Sequence, residues 1–178
     1  MTNNDTIIFD FKYNGKLNIK LISNYTKLIF SNYMLDEKIF ERYLNNNFNG
    51  ILDRGSKFNK NISKLPASLT HITFGYYFNQ PLGNVLDNCT SLIHLGLGYK
   101  FNQKIDLPQN IRSLKLNSNN GNYIDYLPDT IEELELGPNF NLKLDNCPFS
   151  IKKIIFDNYC YNRYNKKLNC LPDGLSIL

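Results

Sequence analysis

One six-residue pattern recurs along the sequence and constrains the fold more than any other feature. Five segments read apolar-x-x-apolar-x-apolar, and they begin at Leu69, Leu92, Ile111, Ile131 and Ile151. Their starting positions are separated by 23, 19, 20 and 20 residues. Such a period is typical of solenoids, in which stacked copies of one unit bury a core that no single copy can bury alone. The sequence therefore predicts a repeat protein.

Between these segments lies a second repeated element, an aromatic residue followed by Asn. Its copies are Phe58-Asn59, Phe78-Asn79, Phe101-Asn102, Phe140-Asn141 and, with Tyr in place of Phe, Tyr164-Asn165. We expect the rings to stack as an aromatic spine and the Asn amides to pair with backbone groups at the turns, which a packed coil cannot leave unpaired. A Leu-Pro or an equivalent pair then leads into the next segment, and proline discourages helix there.

The spacing of the apolar residues predicts the secondary structure of the unit. The last two apolar positions of each segment alternate, so they point to one side of a short strand. Copies of this strand stacked in a parallel sheet bury that side continuously. The predicted fold is mainly β: a right-handed solenoid with one short parallel strand per repeat of about 20 residues and little helix.

The whole unit resembles the FNIP repeat, a relative of the leucine-rich repeats (LRRs). The shared pattern is Phe-Asn-x-x-Ile/Leu-x-x-Leu-Pro-x-Ser/Thr-Leu/Ile-x-x-Leu-x-Leu/Phe, and it covers about residues 48–178, with the last repeat incomplete. Several units depart from it, among them the one with Asn120-Gly121 at the Phe-Asn position. FNIP repeats are abundant in social amoebae and in large DNA viruses that infect amoebae. The resemblance implies a non-enzymatic protein-interaction role, in a viral protein that engages host proteins. Some relatives carry an F-box and recruit substrates to ubiquitin ligases, but no F-box is recognisable here.

The two ends of the chain read differently from the repeats. Residues 1–47 are predicted to form a cap with a β-hairpin over 6–22, because Asn14-Gly15 separates two alternating apolar runs. A short amphipathic helix is expected at about 36–45, and Leu28-Ile29-Phe30 is a candidate extra strand. At the other end the sequence stops inside a strand pattern, which predicts either self-association through an uncapped edge or a chain cut short.

The strand residues that face away from the core form the candidate partner-binding surface. Two columns are predicted: His71, His94, Ser113, Glu133 and Lys153, and beside them Thr73, Gly96, Lys115, Glu135 and Ile155. Neighbouring rungs lie about 4.8 Å apart, so Glu133 can meet Lys153 and Lys115 can meet Glu135. A binding face and a merely solvated, charge-paired face are both consistent with this pattern.

No catalytic, metal or cofactor site is predicted. The two histidines stack in register, but no carboxylate or thiol completes a metal site and no nucleophile matches their register. Cys89, Cys147, Cys160 and Cys170 form no Cys-x-x-Cys pair, and their redox state stays open.

Charge and composition bear on the partner and the compartment. The net charge is +4 with basic residues scattered among acidic ones, so a protein partner is favoured over nucleic acid. The alternative is nucleic-acid binding through a basic, Tyr-rich insertion at 159–167. No apolar run is long enough to span a bilayer and no secretory signal is recognisable, so an intracellular, non-membrane protein is expected.

Overall fold

A computed structural model of the protein describes residues 5–31, 55–117, 127–137 and 148–156, together with the backbone of 176–177. Within these residues the elements are eight strands, one short α-helix and one turn of 3-10 helix at Gly83–Val85. The helix α1 is Ile19–Ile22, and the strands are β1 (Thr6–Phe9), β2 (Lys27–Phe30), β3 (His71–Thr73), β4 (His94–Leu97), β5 (Ser113–Leu116), β6 (Glu133–Leu136), β7 (Lys153–Phe156) and β8 (Ser176–Ile177).

All eight strands belong to one parallel sheet in which spatial order follows chain order from β1 to β8. Equivalent repeat positions are register partners: Ile72 pairs with Leu95, Leu95 with Leu114, and Leu114 with Leu134. The predicted fold class, a parallel solenoid with one short strand per repeat and little helix, is confirmed. The additional strand expected at Leu28-Ile29-Phe30 is also present, as β2.

The core lies behind the sheet and is built from the repeated apolar positions. Residues such as Leu69, Ile72, Leu95, Leu114 and Leu134 are completely buried. Removing apolar surface from water in this way contributes roughly 25 cal/mol per Å², so the stacked units supply the hydrophobic stabilisation that a single unit lacks.

The turn that leads into each strand explains the recurrent proline. The carbonyl oxygens of Pro108, Pro128 and Pro148 accept hydrogen bonds from the amide nitrogens three residues later, at 3.2, 3.1 and 3.2 Å. Proline needs only its carbonyl here, so its missing N–H is no disadvantage. Cys89 replaces proline in one unit and accepts the same bond from the Leu92 amide at 2.9 Å. Its thiol is buried, forms no disulfide and donates a hydrogen bond to the Val85 carbonyl oxygen at 3.6 Å; burial raises its pKa to about 11.

The predicted aromatic spine is present in the described units and consists of two interleaved columns. Phe58, Phe78 and Phe101 follow one another with ring centroids 5.8 and 6.1 Å apart. The strand residues Phe30 and Phe74 pack against Phe58 and Phe78, at 4.1 and 3.9 Å. These near-parallel rings fill the space between the sheet and the turns.

The Asn residues after the spine aromatics form a ladder of hydrogen bonds, as predicted. The Oδ1 atom of Asn59 accepts from the amide N–H of Asn79 at 2.9 Å, and the Oδ1 atom of Asn79 accepts from that of Asn102 at 2.9 Å. Each Asn thus satisfies a backbone donor in the next unit, which fixes one turn on top of another. Phe140-Asn141 and Tyr164-Asn165 lie outside the described residues.

The hairpin predicted over residues 6–22 is wrong. Strand β1 pairs in parallel with β2, and α1 occupies the place of the second hairpin strand. In the described part of the chain only Gly83 has a positive φ, so neither Asn14 nor Gly15 has the conformation that a two-residue hairpin turn requires. Instead the Oδ1 atom of Asn14 accepts from the Asn59 amide at 3.1 Å, which makes Tyr13-Asn14 the first copy of the aromatic-Asn element.

The remaining predictions for the two ends are not tested. The sheet begins at Thr6, inside the segment assigned to the cap, whereas the proposed boundary at residue 47 and the helix at 36–45 lie outside the described residues. The departure at Asn120-Gly121 and the insertion at 159–167 lie outside them as well. Strand β8 pairs with β7, and the expected association through its edge stays a prediction.

Candidate interaction surface on the exposed face of the sheet

The structure brings all the predicted face residues together in two straight columns. Column one contains Thr6, Lys27, His71, His94, Ser113, Glu133 and Lys153, each in register with the next. Column two contains Ile8, Ile29, Thr73, Gly96, Lys115, Glu135 and Ile155 in the same way. Apart from Gly96 these residues are partly or fully exposed. The face therefore continues on to β1 and β2, beyond the residues predicted for it.

The half of the face formed by β5, β6 and β7 is charged, and its charges are paired across rungs. The Lys153 ammonium lies 3.2 Å from a Glu133 oxygen, and Lys115 pairs with Glu135. All four side chains keep between 30% and 38% of their surface exposed, so each pair adds at most about 1 kcal/mol to stability. Both predicted pairings are present.

A third column of charges beside column one was not predicted. The Glu132 carboxylate accepts from Lys152 Nζ at 2.8 Å and also pairs with Arg112. These hydrogen bonds, with Lys152 contributing most, hold the pKa of Glu132 below its ordinary value. This column could have been predicted from the repeat spacing, because Arg112, Glu132 and Lys152 each directly precede a column-one residue in their repeat.

The half of the face around β3 and β4 is uncharged and centres on the two histidines. Their rings stack with centroids 5.6 Å apart. His94 is held by hydroxyl groups on both sides: Nδ1 lies 2.9 Å from Ser113 Oγ, and Nε2 lies 3.2 Å from Thr73 Oγ1. These contacts fix the orientation of the His94 ring against the sheet.

The hydrogen bonds around His71 determine its tautomer when the ring is neutral. The Thr70 hydroxyl donates its one proton to the Thr26 carbonyl at 3.0 Å. It must therefore accept from His71 Nδ1–H, which lies 2.8 Å away. The proton of neutral His71 is thus on Nδ1, and Nε2 carries a lone pair that can accept a hydrogen bond from a partner.

The pKa values of both histidines are lowered from their ordinary value. Burial lowers the pKa of His71, Lys27 acts in the same direction, and Asp5 opposes it. Burial lowers the pKa of His94 as well; His71 and Lys115 add to the effect, whereas Glu135 and Glu133 oppose it. Within the described residues no group of three or more His, Cys, Asp or Glu is arranged to bind a metal ion.

The lowered histidine pKa values predict that acid destabilises the fold. Because the unfolded chain binds protons more readily than the folded one, the free energy of unfolding should be at its full value above about pH 6.5 and fall as pH drops towards the lower folded pKa values. Urea unfolding between pH 7 and pH 5 measures this. His71 and His94 are the two histidines of the chain, so a His71→Gln/His94→Gln variant should lose most of this pH dependence of the free energy of unfolding. If the free energy of unfolding of that variant falls with pH as steeply as that of wild type, other groups are responsible.

The sheet, the aromatic spine and the Asn ladder define the class of this protein as a leucine-rich-repeat-like solenoid. More particularly, the FNIP Repeat family model matches residues 58–86 and 101–137, and the chain is an FNIP/LRR-like repeat protein. These matched ranges contain three of the four described copies of the aromatic-Asn element.

Among solved structures, the chain is similar to CroV588, described as a novel circular LRR protein structure. The two are 36% identical with a TM-score of 0.53, and the similarity covers 67% of this chain and 19% of that chain. This chain therefore spans about a fifth of the length of CroV588. Among curated proteins, none matches. In the parts of the chain that the structure describes, no helix has the length and apolar character needed to cross a membrane.

Proposed function

We propose that this protein is a non-enzymatic scaffold that binds another protein through columns one and two of its exposed sheet face. Repeat families of the FNIP and LRR type are generally scaffolds of this kind. The observation that carries the proposal is the strict register of the two columns, which presents side chains from seven successive strands on one continuous surface.

The chemistry of this surface suits a protein partner. One half carries ion pairs of both signs, and the other half offers imidazole and hydroxyl groups beside apolar Ile29 and Ile8, the latter 47% exposed. Protein interfaces likewise combine apolar contacts with hydrogen-bonding and charged groups. The proposal extends to a viral protein that engages host proteins inside the cell, as the distribution of FNIP repeats suggests.

The paired charges allow a test that changes the surface without removing its ion pairs. In one variant, Lys115→Glu/Glu135→Lys and Glu133→Lys/Lys153→Glu are combined, so that each pair is inverted and the net charge is unchanged. Affinity capture from amoebal lysate, followed by titration calorimetry with the purified captured protein, compares this variant with wild type. We expect at least a tenfold loss of affinity, since like charges facing each other across an interface oppose binding.

The matched control inverts exposed charges away from the face. Lys64→Glu/Asp106→Lys also leaves the net charge unchanged, and both residues are exposed outside the sheet. The control should capture the partner as wild type does, and thermal unfolding should show that both variants are folded. If the inverted face binds with wild-type affinity, the proposal is wrong.

A further inference from the structure

Four equivalent turns stack at one edge of the fold, away from the exposed sheet face. They comprise residues 11–17, 56–62, 76–82 and 99–105, and we call them the turn band. The Asn ladder connects them, because Asn14, Asn59 and Asn79 each accept a hydrogen bond from the amide of the following turn's Asn. Exposed side chains that are far apart in sequence, such as those of Lys12 and Lys104, therefore belong to one surface strip.

The turn band is strongly basic. It contains six lysines and no Asp or Glu: Lys12, Lys16, Lys57, Lys60, Lys100 and Lys104. Five of them are exposed and Lys57 is half-buried. Among the described residues, Lys12, Lys16, Lys60 and Lys100 form no ion pair, in contrast to the paired lysines of the sheet face.

The charge of the surrounding rungs reinforces the band. Segments 5–31 and 55–110, which leave out the ion-paired Arg112 and Lys115, together contain nine Lys against four Asp, a net charge of +5. The whole chain has a net charge of only +4, so positive charge is concentrated in this part of the molecule. Such a concentration attracts polyanions and raises their rate of association.

Aromatic rings lie among these lysines and remain partly exposed. Tyr76 and Tyr99, from neighbouring turns, stack with centroids 4.8 Å apart, and Tyr77 packs edge-on against Tyr76 at 4.9 Å. The ammonium groups of Lys57 and Lys100 lie over Tyr77 and Tyr99, at 4.9 and 5.3 Å from the ring centroids. Two lysines therefore flank a group of three contacting tyrosine rings on the strip.

We propose that the turn band binds single-stranded nucleic acid. Surfaces that bind single strands without sequence preference have two parts. Basic side chains contact the phosphate backbone of the nucleic acid, and aromatic rings stack with its bases. Lys100 is exposed and can move from the face of Tyr99 to a phosphate, which frees the ring for a base. An acidic peptide would satisfy the lysines but has no flat group for the tyrosines, and the paired bases of a duplex cannot reach them. The proposal does not depend on the sheet-face function, which uses other residues.

Fluorescence anisotropy with a labelled oligothymidine of about 20 nucleotides tests the proposal. We expect binding at low salt, with log affinity falling against log salt with a slope of about −0.7 for each phosphate neutralised. Four contacts would give roughly a 50-fold loss between 50 and 200 mM salt. No binding at low salt overturns the proposal.

Matched variants separate the band from general positive charge. Lys60→Glu/Lys100→Glu should weaken binding at least tenfold, whereas Lys20→Glu/Lys64→Glu makes the same change in net charge at exposed positions outside the band and should weaken it much less. Equal losses would mean that charge alone attracts the oligonucleotide, and the band assignment would be wrong.

A ring-specific variant distinguishes nucleic acid from an acidic partner. Tyr99→Leu keeps apolar bulk but removes the flat ring, so it should weaken oligothymidine binding by about fivefold or more, as expected for the loss of one stacked base. Binding of a polyglutamate peptide should be unaffected by Tyr99→Leu and weaker than that of the oligonucleotide. Thermal unfolding checks that the variant is folded. If polyglutamate binds as tightly and Tyr99→Leu changes nothing, the surface recognises acidic chains and the proposal fails.

Discussion

Phe78→Ala is expected to reduce the free energy of unfolding by about 3–5 kcal/mol. Phe78 is completely buried, and its ring contacts those of Phe74, Phe58 and Phe101 with centroids 3.9, 5.8 and 6.1 Å away. The surrounding backbone cannot collapse into the resulting cavity, because the Asn79 side chain and the strand pairing hold the adjacent units at a fixed spacing. Urea unfolding of both proteins at neutral pH measures the difference.

Two further substitutions show whether the effect belongs to the spine. Phe149 is 94% exposed, so Phe149→Ala should change stability by no more than about 0.5 kcal/mol. Phe78→Leu retains much of the apolar volume but loses the stacked ring. Its loss of stability should therefore be smaller than that of Phe78→Ala and larger than that of Phe149→Ala. If Phe78→Ala is as mild as Phe149→Ala, the spine does not stabilise the stacked units.

The repeat register was predictable because the same chemical requirement recurs at the same position in each unit. An apolar residue such as Leu95 must lie over its copies Ile72 and Leu114 to be buried from both sides. Strand alternation then places His94 and Gly96 on the opposite face. For this reason the sheet from β3 to β7, the spine and the face residues on those strands followed from the repeat spacing.

The error at Asn14-Gly15 has a physical cause. Asn-Gly between apolar runs satisfies the sequence requirements of a hairpin turn, but Asn also serves the ladder, where its amide oxygen accepts from the next unit. Two features concealed the second role: Tyr13 replaces the usual Phe, and 45 residues separate Asn14 from Asn59, its partner in the ladder. The period of about 20 residues is therefore not visible at that end of the sequence.

The turn band was not predicted because the first copy of its element, Tyr13-Asn14, was assigned to a hairpin. Lys12, Lys57 and Lys100 share the position directly before the aromatic residue, and Lys16 and Lys104 share the position three residues after it. Without the first copy, too few lysines recur for this pattern to stand out in the sequence. Only the stacking of the turns, fixed by the Asn ladder, brings them into one strip.

Gly98→Ala is expected to destabilise the protein by about 3 kcal/mol, at the upper end of the range for overpacking. Gly98 follows β4 directly, and a Cβ atom added there would lie 1.9 Å from the carbonyl oxygen and 2.6 Å from the carbonyl carbon of Gly75, its counterpart in the previous unit. Both obstructing atoms belong to backbone, so a rotamer change cannot relieve the clash. The two units would have to separate, which would strain the pairing of β3 with β4 and the stacking of Phe78 with Phe101. Urea unfolding measures the loss.

Gly96→Ala is the matched control, since it adds the same methyl group to the same strand two residues earlier. There the added Cβ would lie 2.8, 3.1 and 3.2 Å from Thr73 Cγ2, Oγ1 and Cβ, all of them side-chain atoms, which shift more readily than backbone. Removing a strand glycine also restricts the unfolded chain, which favours folding by about 0.5–1 kcal/mol. We therefore expect Gly96→Ala to change stability by no more than about 1 kcal/mol, well below the effect of Gly98→Ala. Equal effects would mean that the contact of Gly98 with the Gly75 backbone does not set the spacing of the units, because the two positions differ chiefly in whether backbone or side chain opposes the new methyl group.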